Sequence, residues 1–136
     1  MHTTNYINTF IEVAEDSTAE KAEVPPMKGA EKTVAGLQFE LVYDHPYQYT
    51  SDDLIFGVYA RRNGLKKVDL DAEREKFFSR GQACMRASPL AKKYGWGVHS
   101  NEEGKVALYP VESEEYKRLA ADEQLKHTRA MRSKKS

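Results

Sequence analysis

A predicted β-hairpin constrains the fold of this chain more than any other feature. The stretch GWGVHSNEEGKVALYP (95–110) alternates apolar and polar residues on both sides of a short polar turn. A three-residue loop ending at Gly104 supplies the left-handed residue that such turns need, and it pairs Ser100 with Val106. A four-residue loop would instead turn His99 towards the apolar face. The residues predicted to share the apolar face are Trp96, Val98, Val106 and Leu108, and those predicted to share the other are His99, Ala107 and Tyr109.

The clearest helix lies in TSDDLIFGVYARRNG (50–64). Thr50 is a good N-cap, Asp52 and Asp53 complement the positive end of the helix dipole, and two arginines complement its negative end. Four residues, Leu54, Ile55, Val58 and Tyr59, are predicted to form its buried stripe. The segment 33–43 fits a helix or a strand, and we favour a helix because Thr33 can cap it.

The remaining predicted elements are a strand and three helices. The period-two pattern of residues 6–15 indicates a strand. A helix is predicted to begin after Asp69 or Asp71 and to run through residues 72–85, and a short one opens at Ser88-Pro89. A last helix, 114–127, is capped by Ser113.

These elements predict an α+β fold, in which a small antiparallel sheet packs with four or five helices. The sheet combines the N-terminal strand with the hairpin of the C-terminal half. Residues 1–125 are expected to form a single domain, because 136 residues is a common size for one domain. The stretch 126–136 has five basic residues and no acidic ones, and we expect a basic, disordered tail. Residues 17–32 are expected to form a long loop.

Composition and charge narrow the classes of function. The 21 basic and 21 acidic residues cancel, which argues against a binder of bulk polyanions, although residues 69–136 hold 14 of the basic groups and 11 of the acidic ones. The single cysteine excludes an intrachain disulfide and fits a reducing compartment. No signal peptide and no membrane-spanning run is recognised, so we expect a cytoplasmic protein without a membrane role. No cofactor is implied.

The 26 residues between Glu75 and Glu102 contain no carboxylate. Positive charge without local carboxylates attracts anions, and arginine suits bidentate contact with oxyanions. We therefore expect a small binding domain whose basic face takes an anionic ligand, either a nucleic acid or a phosphorylated or carboxylated metabolite. The competing interpretation is a solvated basic surface that pairs with the more acidic first half. The candidate ligand-binding residues are Arg80, Arg86, Lys92, Lys93, Trp96 and His99.

Two other functions stay open. An enzyme could use Cys84 as its nucleophile with His99 or His45 as base, although a lone cysteine is more often a small buried group. A protein-interaction module could use the basic tail and the 17–32 loop. The four histidines do not show the spacing of metal ligands, so no metal site is expected.

Three blocks resemble a family of uncharacterised bacterial and fungal proteins: TFIEVAEDS, PYQYTSDDLIFGVYARR and RGQACMRASPLAKKYGWGVHSNEEGKVALYP. The resemblance covers about residues 5–120 and implies a cytosolic protein with one domain over nearly its whole length. It implies no reaction, ligand or partner, and therefore no catalytic residues.

Overall fold

A computed structural model describes residues 2–25 and 33–132. Four strands form one sheet in the order β3-β2-β1-β4: β1 (Thr9–Glu12), β2 (Trp96–Ser100), β3 (Val106–Pro110) and β4 (Lys126–Arg129). The helices are α1 (Val34–Tyr43), α2 (Ser51–Arg62), α3 (Leu70–Phe77), α4 (Pro89–Lys92) and α5 (Glu114–Ala121). Short 3₁₀ turns lie at Lys67–Asp69 and Met85–Ala87. The α+β class predicted from the sequence is confirmed.

Both faces of the sheet are covered. On one face, α1 packs against β3 and α4 packs against β2, and this layer holds the main core around Ile11 and Val98. On the other face, α5 packs against β1 and β3, and the rings of Phe10 and Tyr116 meet edge to face with centroids 5.0 Å apart. Phe10 and Ile11 are therefore both fully buried although they point in opposite directions.

The predicted register of the hairpin is confirmed. Ser100 pairs with Val106 and Val98 pairs with Leu108. Gly104 has φ of +78°, the left-handed conformation that the three-residue loop requires. The side chains of β2 and β3 therefore divide between the two faces as predicted, which places His99 opposite the main core.

The predicted helix caps are also present. Thr33 accepts the backbone N–H of Gly36, so the 33–43 segment is helical as favoured. Thr50 and Asp53 form a reciprocal capping box at the start of α2. The hydroxyl of Ser88 accepts the N–H of Leu90 at the start of α4.

The end of the chain departs from the prediction. Lys126–Arg129 forms β4, which pairs in parallel with β1, so the sheet is mixed and not purely antiparallel. Residues 126–132 are therefore not a disordered tail, and 133–136 lie outside the described residues. The polar stretch forms a strand because its backbone N–H and C=O groups bond to β1, while most of its side chains stay exposed.

Two predicted helices are shorter than expected. The third helix ends at Phe77 and does not reach Cys84, because the Ser79 hydroxyl and the Gln82 amide bond to carbonyls of its last turn. The last helix ends at Ala121, where Asp122 turns into an extended conformation and its side chain accepts the N–H of Gln124.

Two details of the other elements also differ, whereas the described part of the predicted loop agrees. The first strand covers Thr9–Glu12 and not the whole of 6–15. In α2, Phe56 is buried whereas Tyr59 is 37% exposed. The buried face of the helix therefore includes Phe56 and not the predicted Tyr59. The described part of the 17–32 loop, residues 17–25, is irregular but attached to the domain: Glu23 donates its N–H to the carbonyl of Tyr94.

Candidate functional site

A cleft of about 510 Å³ opens between three helices and the chain that leads into α4. The first turns of α1, the C-terminal half of α2 and the last residue of α3 form three of its walls. The segment 82–89 forms the fourth. The lining residues that carry the argument below are Gln38, Tyr59, Arg62, Gln82, Cys84 and Ser88.

Helix geometry explains why α2 contributes so many of these residues. Ile55, Tyr59 and Arg62 are spaced by four and three positions, so they lie on one face of the helix. Tyr59 stacks at a tilt on Phe77, with ring centroids 4.6 Å apart. These two rings separate the cleft from a second hollow of about 600 Å³, which is lined in part by Lys76 and Arg80.

A buried polar pair lies in the wall opposite α2. The Ser88 hydroxyl donates to Oε1 of Gln38 at 2.5 Å, and both residues are buried. The pair joins the middle of α1 to the first turn of α4. It leaves a polar spot in a wall that is otherwise formed by Val34, Ala87 and Pro89.

The charge of the cleft has one sign. Arg62 is the only charged residue among the described residues that line it. Within the described ranges, no carboxylate forms an ion pair with its guanidinium, whereas the nearby Arg74 pairs with Asp53 at 2.9 Å. The cleft therefore presents apolar walls with one uncompensated cation.

Cys84 also lines this cleft, but not on a helix as predicted. Its Sγ lies 3.3 Å from the hydroxyl of Tyr6, and burial together with this contact raises the pKa of Tyr6 to about 12. Neither predicted base is shown in contact with the thiol: His99 bonds to Tyr47, and His45 packs against Tyr49. A phenol with so high a pKa is protonated at neutral pH and cannot act as the base in its place.

The cationic residues of the predicted basic face have different surroundings. Arg80 is exposed and lines the second hollow. Arg86 donates its Nε–H to the carbonyl of Arg129 at 2.7 Å, beside β4. Lys92 and Lys93 lie at the end of α4, and no ion pair involves any of the four within the described part of the chain.

Trp96 is not exposed on the predicted basic face. Its indole is only 4% exposed, its Nε1–H donates to the carbonyl of Glu23, and its ring packs against Phe39 and Tyr43. A buried indole cannot stack on a ligand at the surface. His99 lies on the opposite face of the sheet, so the two rings do not border one patch.

His99 instead belongs to a cluster that sequence reasoning missed. The Tyr47 hydroxyl lies 2.7 Å from His99 Nδ1 and 2.6 Å from the Tyr109 hydroxyl. Burial lowers the pKa of His99, and a weaker effect of Asp122 opposes it. Burial raises the pKa of Tyr47 most, and the contact with Tyr109 raises it further. The signal in the sequence for this cluster was the proline at position 46, which begins a tyrosine-rich turn.

Tyr47 reaches this position in a conformation that is uncommon for a tyrosine. Its φ is +61°, while its N–H donates to the carbonyl of Val106 in β3. The backbone of Tyr49 accepts the N–H of Val106 in return. The turn thereby covers the start of the outer edge of β3.

The model of one protein family matches residues 1–136, with the description "Family of unknown function (DUF6157)". The chain belongs to this family. No curated protein and no solved structure matches it.

The acidic pair of this DUF6157 chain has structural roles. Asp53 completes the cap of α2 and pairs with Arg74, and Asp52 accepts hydrogen bonds from Thr3 and Thr4. Neither carboxylate faces the cleft. In the described ranges, no three histidine, cysteine or acidic side chains gather where they would hold a metal ion, and no helix has the length and apolarity to cross a membrane.

Proposed function

We propose that this protein is a small-molecule binding domain whose cleft takes an organic anion with an apolar, preferably aromatic, body. The observation that carries the proposal is the lining: apolar side chains surround the space, and the one charge among the described lining residues is that of Arg62. A guanidinium next to apolar walls favours a carboxylate or phosphate attached to a ring or chain.

The size and polarity of the cleft support the same class of ligand. Pockets for small molecules commonly have volumes of about 300–1,000 Å³, with apolar walls and a few polar groups that fix orientation. Here those groups are the amides of Asn63 and Gln82, since Gln38 and Ser88 are buried and bonded to each other. Because amides both donate and accept, they suit a ligand that carries carbonyl or hydroxyl groups besides its anion.

This proposal keeps the anionic ligand expected from the sequence and moves the site. Arg80 remains relevant, because the hollow it lines adjoins the cleft across Tyr59 and Phe77. A metabolite is favoured over a nucleic acid, because the predicted stacking residue Trp96 is buried. The lone cysteine fits a reducing compartment, which supports the cytoplasmic location, in bacteria or fungi, that the family resemblance implies.

A fluorescence titration tests the proposal with two probes of similar shape. One is 8-anilinonaphthalene-1-sulfonate, an aromatic anion, and the other is N-phenyl-1-naphthylamine, which is uncharged. We expect the anion to bind more tightly, and Arg62→Gln to weaken its binding about tenfold, a loss of about 1.4 kcal/mol. Binding of the uncharged probe should change little.

Arg61→Gln is the matched control, because Arg61 is the neighbouring arginine of the same helix and does not line the cleft. Amide chemical shifts locate the bound probe, and they should change at 82–89 and along the second half of α2. Equal binding of the anion by Arg62→Gln and the unchanged protein would contradict the proposal. Shifts confined to another part of the protein would contradict it too.

An enzyme using Cys84 is the second candidate, because the thiol lines the same cleft. The missing base argues against it. Alkylation by iodoacetamide at neutral pH separates the two functions. A rate well above that of free glutathione would favour the enzyme, and an equal or slower rate would favour simple binding.

A further inference from the structure

The two edges of the sheet differ. At the β3 edge, the turn around Tyr47 and Tyr49 bonds to Val106, so the start of that edge is covered. At the β4 edge, the turn at Arg86 covers the C-terminal end: its Nε–H donates to the carbonyl of Arg129, and its carbonyl accepts the N–H of Met131. Within the described part of the chain, the edge of β4 that precedes this turn is therefore open.

The register shows which groups of β4 point outward. Lys126 donates its N–H to Asn8, and Ala130 donates its own to Glu12. In a parallel ladder alternate residues bond to the same neighbour, so Thr128 also faces β1. His127 and Arg129 then direct their backbone groups away from the sheet. With the Arg129 carbonyl bound by Arg86, the outward groups are the N–H and C=O of His127 and the N–H of Arg129.

The side chains around this edge are cationic. Lys126 and Arg129 belong to the strand and are exposed, Arg132 follows it and is exposed, and Arg86 crosses its end. Glu12 lies opposite Arg129 in the register of β1 and β4, so one carboxylate lies close to these cations. Positive charge therefore exceeds negative charge along the open edge.

We propose that β4 binds an acidic, extended segment of a partner protein as an added strand of the sheet. Three outward backbone groups supply the pairing, and the cationic side chains select glutamate or aspartate beside it. This interaction surface goes beyond the proposed ligand cleft and does not depend on it. A second copy of this chain fits less well, because pairing β4 with β4 would bring the cationic side chains of the two strands together.

The test uses the whole protein and a fluorescent seven-residue peptide of alternating glutamate and valine. Two control peptides replace every glutamate with lysine, or the central valine with proline. We expect the acidic peptide to bind at least about tenfold more tightly than either control. The amides of His127 and Arg129 should gain protection from hydrogen exchange on binding, whereas those of Lys126 and Thr128 are protected already.

The variant His127→Pro removes one outward N–H and leaves the bonds between β4 and β1, since proline is tolerated on edge strands. His127→Ala is its matched control, because it keeps the N–H and removes the same imidazole. Proline should weaken peptide binding about tenfold and alanine only slightly. If the proline variant does not fold, the protection of the His127 and Arg129 amides in the unchanged protein still tests whether the peptide binds at this edge.

Three results would overturn the proposal. The first is equal binding of the acidic and basic peptides. The second is binding without protection at His127 and Arg129. The third is protection of those two amides that depends on protein concentration in the absence of peptide, which would identify a second copy as the occupant of the edge. Arg62→Gln should leave peptide binding unchanged, so this result and that of the cleft are independent.

Discussion

The hydroxyl of Ser88 is shared between two helices: it caps α4 by accepting the N–H of Leu90, and it donates to the side chain of Gln38 in α1. One buried oxygen thereby fixes the start of α4 relative to α1 beside the candidate cleft. Loss of that oxygen removes a cap and leaves a buried amide oxygen without its donor.

We predict that Ser88→Ala lowers the free energy of unfolding by about 1–3 kcal/mol, measured by urea denaturation. In a double-mutant cycle with Gln38→Leu, the two losses should fail to add by at least about 0.5 kcal/mol, because the residues share one bond. Ser113→Ala is the matched control. The Ser113 hydroxyl also caps a helix, α5, but its only partners are the backbone atoms of Pro110 and Tyr116. Additivity of Ser88→Ala with Gln38→Leu would contradict the prediction.

His99 should make stability depend on pH. Burial lowers its pKa in the folded protein below the ordinary value of 6.5. Between those two pKa values the unfolded chain binds more protons than the folded one, so the free energy of unfolding falls as the pH falls. The contribution is complete above about pH 6.5 and is lost as the pH drops to the folded pKa.

Urea midpoints between about pH 8 and pH 5 measure this effect, with His99→Gln as the non-titrating comparison. The difference in stability between the two proteins should shrink on the acid side, because only the histidine becomes protonated. A difference that stays constant over this range would show that burial does not lower the pKa of His99.

The central position of Tyr47 in its cluster leads to a ranking of two variants. Tyr47→Phe removes the hydroxyl that contacts both His99 and Tyr109, whereas Tyr109→Phe removes only one end. We expect Tyr47→Phe to cost about 1–3 kcal/mol of unfolding free energy, and Tyr109→Phe to cost less. Thermal and urea unfolding of both variants check the order, and the reverse order would contradict the arrangement of hydrogen bonds.

Local chemistry made much of the fold predictable. The caps of α1, α2 and α4 depend on residues within three positions of each helix start, and the hairpin register depends on one glycine. The strand β4 has no such signal. A polar edge strand buries few side chains, so its sequence lacks apolar alternation, and its partner β1 lies more than a hundred residues away.

The candidate site was harder to predict, for the same physical reason. Its lining comes from segments around positions 34–38, 55–63, 77 and 82–89, which meet only after folding. The stretch without carboxylates, 76–101, does contain Cys84 and Arg80. Cys84 lines the cleft, and Arg80 lines the second hollow. It misplaced Trp96, although the predicted register had already put that indole on the same face as Val98. Local absence of carboxylates outweighed that signal in the prediction.

A last prediction concerns Gly97, where β2 passes beneath α5. A Cβ added there would lie 2.6 Å from Cζ of Phe10 and 2.7 Å from Cε2 of Tyr116. Both rings belong to the edge-to-face pair that joins α5 to the sheet, so neither can move without disturbing that contact. Gly97→Ala should therefore destabilise the protein by overpacking, by about 1–3 kcal/mol, and should loosen α5.

Gly57→Ala is the matched control for this substitution. Gly57 lies inside α2, and its added Cβ would meet Leu41 at 3.4 Å, an ordinary contact. Alanine favours helix over glycine by up to about 1 kcal/mol, so this variant should be neutral or more stable. Urea denaturation compares the two, and hydrogen exchange follows the amides of α5. Unfolding of Gly97→Ala at the same urea concentration as the unchanged protein would contradict the close packing of α5 on β2.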